Sequence, residues 1–370
     1  MSKCFWRKLK KPIIGLSPMD GVTDQAFRHI TKTYGNPDVI YTEFTSVEGL
    51  CHGATQLLRP LIYDNSQRPI IAQIFGKTPK YFRQVAVLLC ELGFDGIDIN
   101  MGCPAKSVAQ HGSGAALIRT PKLAQEIILA SKAGVKDYQN GKKSKDCTDL
   151  KKLLDNKKLK FINKKPKSIP ISIKTRIGFD RSEVETWIPA LLETEPAVIT
   201  LHGRTLKQQY SGKADWDEIA RAAEITHQTE ALIIGNGDVK NRAEAERKTK
   251  KYKVDGVLIG RAALGNPLVF SKQNNLSPQG RENLDETKRD QIREGRNQIG
   301  EVKLAEIALE HARLFEKTYS QDKRYNFLPM RKHLAWYIKS IENAKEIRME
   351  LMQTNNSEEI KEIFKKYKLI

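Results

Sequence analysis

The sequence predicts an α/β protein, a TIM (β/α)8 barrel followed by a smaller C-terminal helical domain. Short runs rich in Ile and Val alternate with segments of helical period, which is the pattern of a parallel sheet covered by helices. Eight such runs extend over about 250 residues, the strand count and length of this barrel. The runs occupy residues 13–19, 39–44, 70–75, 96–101, 171–176, 198–203, 232–237 and 256–261.

The segments between the runs have apolar residues at helical spacing, as in "TPKYFRQVAVLLCELG", "TPKLAQEIILASKAGV" and "WDEIARAAEIT". A doubly wound open sheet is the alternative, but that fold usually has fewer strands and a glycine-rich first turn. The turn after the first run reads "SPMDGVTD", which is not glycine-rich. The pattern therefore favours the barrel.

The same pattern predicts that the barrel comprises residues 1–270. Residues 271–295 are polar and without strand runs, so we interpret them as a linker. Residues 296–370 are predicted to form the helical domain, because "EVKLAEIALEHARLFEKTY" and "FLPMRKHLAWYIKSI" place apolar residues at helical spacing.

The composition sets limits on function. The formal net charge of +19 attracts polyanions from a distance, although lysine-rich composition can also be a general property of the host's proteins. No stretch has the length and purity of a membrane span, and we infer no signal peptide, so we expect a cytoplasmic protein without a membrane partner. The five cysteines are scattered without a C-x-x-C pair, which predicts neither disulfides nor a metal site.

Polar residues end nearly every run, and barrels of this kind place their sites at the carboxyl ends of the strands. Convergence of so many polar ends on one rim predicts a site. The residues concerned are Ser17, Pro18, Met19, Thr42, Glu43, Gln73, Asn100, Lys174, Arg176, His202, Arg204, Asn236, Gly237, Asp238, Gly260 and Arg261.

Cys103 lies just beyond the fourth run, between Gly102 and Pro104. Two interpretations remain open at this point. The residue is a buried cysteine at a tight turn, or it is a reactive thiol at the mouth of a site.

The residue types at these ends suit a flavin mononucleotide (FMN). The glycines of "GNGDV" and "IGRAALGNP" let backbone N–H groups approach a phosphate, and Arg261 adds a positive charge. Lys174 and His202 can hydrogen-bond a carbonyl-rich ring, and the Gln73 amide can both donate and accept. Taken alone, "GNGDV" is equally well an ordinary strand-to-helix loop.

The chain resembles the tRNA-dihydrouridine synthases, flavin-dependent barrel enzymes that reduce uridine in RNA. The resemblance covers nearly the whole chain and rests on motifs in the expected order, with a tail similar to the bacterial B-type branch. These motifs are "LSPMDGVTDQAFR", "INMGCPAKSVAQHGSGAAL", "IKTRIGFD", "TLHGRTLKQQYSGKADW", "IIGNGDV", "GVLIGRAALGNPLVF" and "MRKHLAWYIK".

The resemblance implies a role for each matching residue. Cys103 would be the general acid that protonates C5 of uracil after hydride reaches C6. Around the FMN ring and phosphate it places Pro18, Met19, Asp20, Gln73, Lys174, His202, Asn236, Gly237, Asp238, Gly260 and Arg261. Toward the uridine and the RNA it places Asn100, Arg176, Arg204, Arg331, Lys332 and His333, whereas Trp336 and Tyr337 are either RNA contacts or core.

The implied partners are tRNA, with ribosomal RNA as an alternative, and NADPH or NADH as reductant; we expect a monomer. One stretch departs from the family, a lysine-rich insertion at about 136–168. We expect a solvated, partly disordered loop that starts from the N-terminal face of the barrel, with an extra RNA contact as the alternative. Two rival functions stay open: a flavin barrel enzyme acting on a free base, and a catalytically silent RNA-binding relative.

Overall fold

Eight parallel strands close into a barrel in the computed structural model of the chain, which describes residues 4–105, 108, 110–156, 168–272, 286–322, 324–339 and 343–370. The sheet closes because β1 pairs with β9 and β2 pairs with β4, so the predicted barrel is confirmed. The two-residue β3 adds to the end of β4. The strands are β1 (Ile13–Leu16), β2 (Ile40–Tyr41), β3 (Thr45–Ser46), β4 (Ile70–Phe75), β5 (Gly96–Met101), β6 (Ile171–Arg176), β7 (Val198–His202), β8 (Leu232–Asn236) and β9 (Gly256–Ile259).

Helices follow most strands, and local sequence explains where they begin and end. Pro79 stands in the first turn of α3, and Gly93 ends that helix with a φ of 81°. Asp215 caps α7 by accepting from the N–H groups of Asp217 and Glu218. The chain divides into two compact units, and the barrel belongs to the first, Met1–Asp24 with Pro37–Gly260. The helices of this barrel unit are α2 (Val47–Cys51), α3 (Pro79–Leu92), α4 (Pro121–Gln139), α5 (Lys151–Asn156), α6 (Val184–Leu192), α7 (Trp216–Thr226) and α8 (Arg242–Tyr252).

The barrel interior changes from apolar to polar along the strands. Trp6, from the short helix Phe5–Lys8, packs with strand residues in an apolar cluster. The other members are Ile13, Val39, Tyr41, Ile71, Val198, Leu232, Ile234 and Leu258. Farther along the strands, buried polar side chains replace them, among them Gln73, Asp98, Asn100 and Arg176. The polar groups of the barrel interior therefore lie toward the carboxyl ends of the strands.

The lysine-rich insertion is ordered over residues 144–156, so the expected solvated loop is wrong for this part. Cys147, Leu150 and Leu153 are buried, because apolar residues at helical spacing form a face that packs inward. The N–H of Ser144 donates to Glu91 at the end of α3, and the N–H of Asp149 donates to Gln84 one turn after its start. The chain thus starts near the N-terminal face, as expected, and runs back along α3. Residues 157–167 lie outside the described residues.

A second compact unit comprises Gln25–Asn36 and Arg261–Ile370. Its helices are α1 (Gln25–Gly35), α9 (Glu286–Tyr319), α10 (Leu328–Tyr337), α11 (Ala344–Leu351) and α12 (Ser357–Lys366). They share one core, which includes Ile30, Phe315, Met330 and Phe364.

The predicted C-terminal helical domain is thus present, but two boundaries differ from the prediction. The first helix of the barrel pattern, α1, groups with the C-terminal helices because its apolar residues belong to their core. The interpretation of 271–295 as a linker is wrong for 286–295, which are helical, and residues 273–285 lie outside the described part. None of the helices in the described ranges is long and apolar enough to cross a membrane.

Candidate active site

Cys103 follows β5 on a loop that is tied to the strand. Its backbone N–H donates to Asn100 Oδ1 at 2.9 Å, and the N–H of Gly102 donates to the same oxygen at 3.0 Å. Gly114 packs behind it with a φ of +61°, where a Cβ would lie 3.1 Å from the Cys103 carbonyl oxygen. Burial raises the pKa of the partly buried Cys103 thiol, and the charge of Asp20 raises it further. The thiol is therefore protonated at neutral pH.

Asn100 is held in turn by two residues deeper in the barrel. Its Nδ2 donates to Gln73 Oε1 at 3.1 Å, and Gln73 Nε2 donates to Asp98 Oδ2 at 2.8 Å. Ser172 donates to the other carboxylate oxygen of Asp98 at 2.7 Å. Burial raises the pKa of Asp98 to about 6, which leaves the carboxylate mostly ionised at neutral pH. Gln73 is fully buried in this chain of bonds, and its predicted contact with a cofactor ring stays a prediction.

Sequence reasoning did not single out Asp98 or Ser172. The signal was available in the fourth run, "GIDINM", where an acidic residue interrupts an apolar strand. Its significance depends on the register, which pairs Asp98 with Gln73 on one side and with Ser172 on the other.

Lys174 lies on β6 opposite Asn100, and its side chain makes no hydrogen bond or salt bridge with the residues that the structure describes. Burial lowers the pKa of its ammonium to about 8, and the neighbouring Arg176 lowers it further. A partly buried ammonium whose donors have no partner among the described residues fits a ligand that is rich in carbonyl oxygens or negative charge. This donor chemistry agrees with the flavin ring that the sequence predicts.

The ends of β7 and β8 approach each other closely at Gly237. Its φ is +121°, and a Cβ there would lie 2.6 Å from the Ala214 Cβ and 3.5 Å from His202 Nε2. Only glycine fits both the conformation and the space. Asn236 donates from Nδ2 to the carbonyl of Leu258 at 2.9 Å, which ties β8 to β9.

The ends of β1 and β9 also meet. A Cβ at Gly260 would lie 3.7 Å from Met19 Sδ, so the structure brings these two predicted residues together. Pro18 and Met19 are partly exposed and Asp20 is exposed on the same turn. Arg261 is exposed at the start of the short helix that follows β9, in the second compact unit.

Arg176, predicted to help shape the substrate pocket, and Arg204, predicted to face the RNA, are both buried. Arg176 donates from Nε to the Gly102 carbonyl at 2.7 Å and from Nη1 to the carbonyl of Thr205 at 2.9 Å. Arg204 donates to Asp238 at 2.6 Å and is only 2% exposed. Arg176 therefore braces the cysteine loop. The prediction of an RNA contact is wrong for Arg204, since its guanidinium is covered, and the Asp238 carboxylate is already neutralised by that arginine.

In the second unit, α10 carries the other predicted RNA residues. Arg331 donates from Nε to the carbonyl of Thr354 at 2.8 Å, so it braces the turn after α11. His333 is 1% exposed and packs against the rings of His311 and Trp336. Its predicted RNA contact is therefore wrong, because the helix turns this side chain into the core.

Lys332 is partly exposed and keeps its predicted role as a candidate. Tyr337 is core, whereas Trp336 is partly buried. Arg331 and Lys332 are thus both partly exposed, but Arg331 is engaged with the Thr354 carbonyl, so Lys332 is the stronger candidate for an RNA phosphate.

A (β/α)8 barrel that holds a protonated thiol, a partly buried cation and a hydrogen-bonded amide at one end of its strands has the arrangement of an enzyme. The thiol can give up a proton, and the cation can stabilise a ring that gains electrons. The fold and the site together are those of a barrel enzyme with a proton donor and a cation at the ends of its strands.

The family model described as dihydrouridine synthase (Dus) matches residues 15–143 and 157–369. The chain is 32% identical over 368 residues to a protein of Staphylococcus epidermidis named probable tRNA-dihydrouridine synthase, covering 98% of this chain and 96% of that one. It is 30% identical over 366 residues to probable tRNA-dihydrouridine synthase 2 of Bacillus subtilis, covering 98% and 95%. The chain belongs to the dihydrouridine synthase family and is an enzyme, which confirms the resemblance. The gap between the two matched ranges, residues 144–156, falls in the insertion.

Solved structures also share the barrel at low similarity. A dihydroorotate dehydrogenase (DHODH) from Eimeria tenella in complex with ferulenol has a TM-score of 0.46 and 11% identity, covering 70% of this chain and 78% of that chain. Morphinone reductase in complex with tetrahydroNAD has a TM-score of 0.40 and 10% identity, covering 70% and 85%. The barrel itself is established by the order and pairing of the strands.

Proposed function

We propose that this chain is a flavin-dependent tRNA-dihydrouridine synthase, which reduces the C5–C6 double bond of uridines in tRNA. The names of its relatives support tRNA as the substrate class. The observation that carries the proposal is the protonated Cys103 thiol, which lies on a loop braced by Asn100 and Arg176 and within electrostatic reach of the Lys174 ammonium. Reduction of a double bond needs a hydride and a proton, and the thiol is suited to give the proton.

FMN is the cofactor that the strand ends suit. Lys174 and His202 are the candidates to hold its ring, with Pro18, Met19 and Asp20 beside it. Bound and reduced, FMN supplies the hydride for C6 of uracil. For the ribityl chain and phosphate the candidates are the backbone at Asn236, Gly237, Asp238 and Gly260, together with the Arg261 side chain.

Cys103 supplies the proton. Once C6 has taken hydride, negative charge spreads to C5 and the O4 carbonyl, and the Sγ–H donates to C5. The resulting thiolate regains its proton from solvent, so the residue is unchanged after each turnover. Asn100 and Arg176 hold the loop that carries the thiol, because both bind its backbone.

The substrate has to reach this buried end of the barrel. A uridine stacked in RNA must leave its stack to do so, and an RNA-binding surface lowers the cost of extruding it. The net charge of +19 supports such a partner. NADPH or NADH is the reductant, ribosomal RNA is the second candidate substrate, and the monomeric state and cytoplasmic location remain predictions.

The test has two arms. Purified protein is denatured, and the released cofactor is identified; we expect FMN, and FAD or no flavin after reconstitution overturns the flavin site. Reduced protein is then mixed with a tRNA transcript or with free uracil, and products are measured by mass spectrometry. Dihydrouridine in tRNA alone is the expected result. Reduction of free uracil without RNA favours the free-base enzyme, and RNA binding by a flavin-free protein favours the silent relative.

A further inference from the structure

A buried carboxylate stands at the end of the hydrogen-bond chain that leads to the cysteine loop. Asp98 is 0% exposed and accepts from Gln73 Nε2 at 2.8 Å. Gln73 is opposite Asp98 in the strand register and accepts from Asn100 at 3.1 Å. Asn100 accepts from the N–H groups of Gly102 and Cys103. The chain therefore joins Asp98 to the thiol-bearing loop through two side-chain amides.

The direction of every bond follows from the carboxylate. An ionised carboxylate only accepts, so it requires the Nε2 end of the Gln73 amide to face it. The oxygen end of that amide then faces Asn100, which must present Nδ2. As a result Oδ1 of Asn100 faces the loop, where two backbone N–H groups need an acceptor. With either amide inverted, like groups would face each other in a buried place, which is costly.

We propose that Asp98 is a positioning residue for the reaction, setting through Gln73 and Asn100 the orientation that holds the Cys103 loop. Its bearing on uridine reduction rests on the proposed function, whereas the hydrogen-bond relay belongs to the free protein. Asp98 touches neither substrate nor cofactor in this role. Its effect reaches Cys103 through the backbone of residues 102 and 103.

The relay is the hydrogen-bond chain from Asp98 through Gln73 to Asn100. Amide hydrogen exchange at Gly102 and Cys103 measures its effect on the loop directly, in purified flavoprotein without RNA. Asp98→Leu keeps the approximate size but removes the acceptor, and we expect exchange about tenfold faster, the effect of losing roughly one hydrogen bond. Ser172→Ala is the matched control, because it removes the other bond to the same carboxylate and leaves the relay intact. Its exchange is expected within about twofold of wild type.

Swapping the amide and the carboxylate between positions 98 and 100 tests whether the direction of the hydrogen bonds matters, beyond the packing of the side chains. Asn100→Asp leaves Gln73 between two carboxylates, and Nε2 can face only one of them. The carboxylate introduced at position 100 still accepts from the loop but loses its own bond to Gln73, so the loop is held less firmly and exchange rises. In the double variant Asp98→Asn/Asn100→Asp, the polarity of the whole relay can reverse. The amide introduced at position 98 would donate to Gln73 Oε1, and Gln73 Nε2 would donate to the carboxylate introduced at position 100, which still accepts from the loop. Exchange should return to within about threefold of wild type, as expected for coupled neighbours.

Two outcomes overturn the proposal: folded Asp98→Leu protein with wild-type protection, or a double variant no better protected than Asn100→Asp. The double variant also decides the matter if Asp98→Leu fails to fold. With pre-reduced protein and tRNA, the rate of dihydrouridine formation should fall in Asp98→Leu and stay near wild type in Ser172→Ala. If wild-type protein forms no dihydrouridine, the proposed function fails, while the exchange result still tests the relay.

Discussion

Two histidines in the C-terminal helices carry no charge in the folded protein. The rings of His311 and His333 lie 4.9 Å apart, and both side chains are almost completely buried. Burial lowers the pKa of His311 to about 3. Burial, and then the proximity of His311 and Lys332, lower the pKa of His333 well below its ordinary value. Each imidazole is therefore neutral over the physiological range.

This pair predicts that acid destabilises the helical unit. Because the pKa of each folded histidine is below the unfolded value near 6.5, the unfolded chain takes up protons first as the pH falls. The contribution of both histidines is complete above that pH and is lost progressively as the pH falls; for His311 the loss extends toward pH 3 and amounts to about 2 kcal/mol at pH 5. Denaturant unfolding at pH 7 and pH 5 measures the difference.

The variant His333→Leu should reduce this pH dependence, whereas His52→Gln, a change at an exposed histidine, should leave it as it is. Equal stability of the wild-type helical unit at pH 7 and pH 5 would show that the buried pair does not govern its acid response.

At the scale of elements, the insertion is a packed part of the barrel unit. Leu153 in α5 is 0% exposed, and truncation of a buried leucine typically costs about 2–5 kcal/mol. We expect Leu153→Ala near the lower end, about 2 kcal/mol, because α5 is short and its surroundings can relax. Exposed Lys151 in the same helix is the control, and Lys151→Ala should change the free energy of unfolding by less than about 0.5 kcal/mol. Equal effects of the two changes in guanidinium unfolding would contradict the packed arrangement.

Two adjacent basic residues of α10, for which the sequence predicts the same role, have different surroundings in the structure. Arg331 holds the Thr354 carbonyl, so Arg331→Ala should lower stability by about 1–2 kcal/mol. Lys332→Ala should instead weaken tRNA binding and reduce the slope of log affinity against log salt by about one, as loss of one phosphate contact does. Thermal unfolding and salt-dependent binding of both variants make the comparison. A Lys332 variant with an unchanged salt slope would remove this residue from the RNA surface.

At the scale of the whole molecule, the sequence predicts the barrel because every strand has its own local apolar pattern. The run at 39–44 forms only the two residues Ile40–Tyr41 as a strand, which the apolar pattern alone does not indicate. Grouping α1 with the C-terminal helices could not be predicted, because it depends on which apolar faces meet across about 300 residues of chain.

For the candidate site, the sequence predicts which residues lie together but not which partners they bind. Topology places the strand ends together, so Asn100, Lys174 and His202 follow from their positions after apolar runs. Which partner each polar group chooses depends on strand register and side-chain direction. For that reason the sequence does not single out Asp98 and suggests a surface role for Arg204, which the fold buries beside Asp238.

The central claim is that Cys103 protonates the uracil ring, and a transient measurement with Cys103→Ala tests it most directly. The change removes the proton donor and leaves the candidate flavin contacts in place. The variant should bind FMN, accept hydride from NADPH and bind tRNA. Cys90→Ala is the control, since Cys90 is buried in α3 and its loss should cost stability without slowing the reaction.

The decisive reading is the rate at which pre-reduced protein converts uridine in tRNA, because this isolates the second half-reaction from flavin reduction. General acids contribute about a hundredfold to ten-thousandfold, so the Cys103→Ala rate should fall by that factor while Cys90→Ala stays near wild type. A loss of only a few-fold in Cys103→Ala, with flavin and RNA binding intact, would mean that another group or water protonates C5, and would contradict the assignment of Cys103.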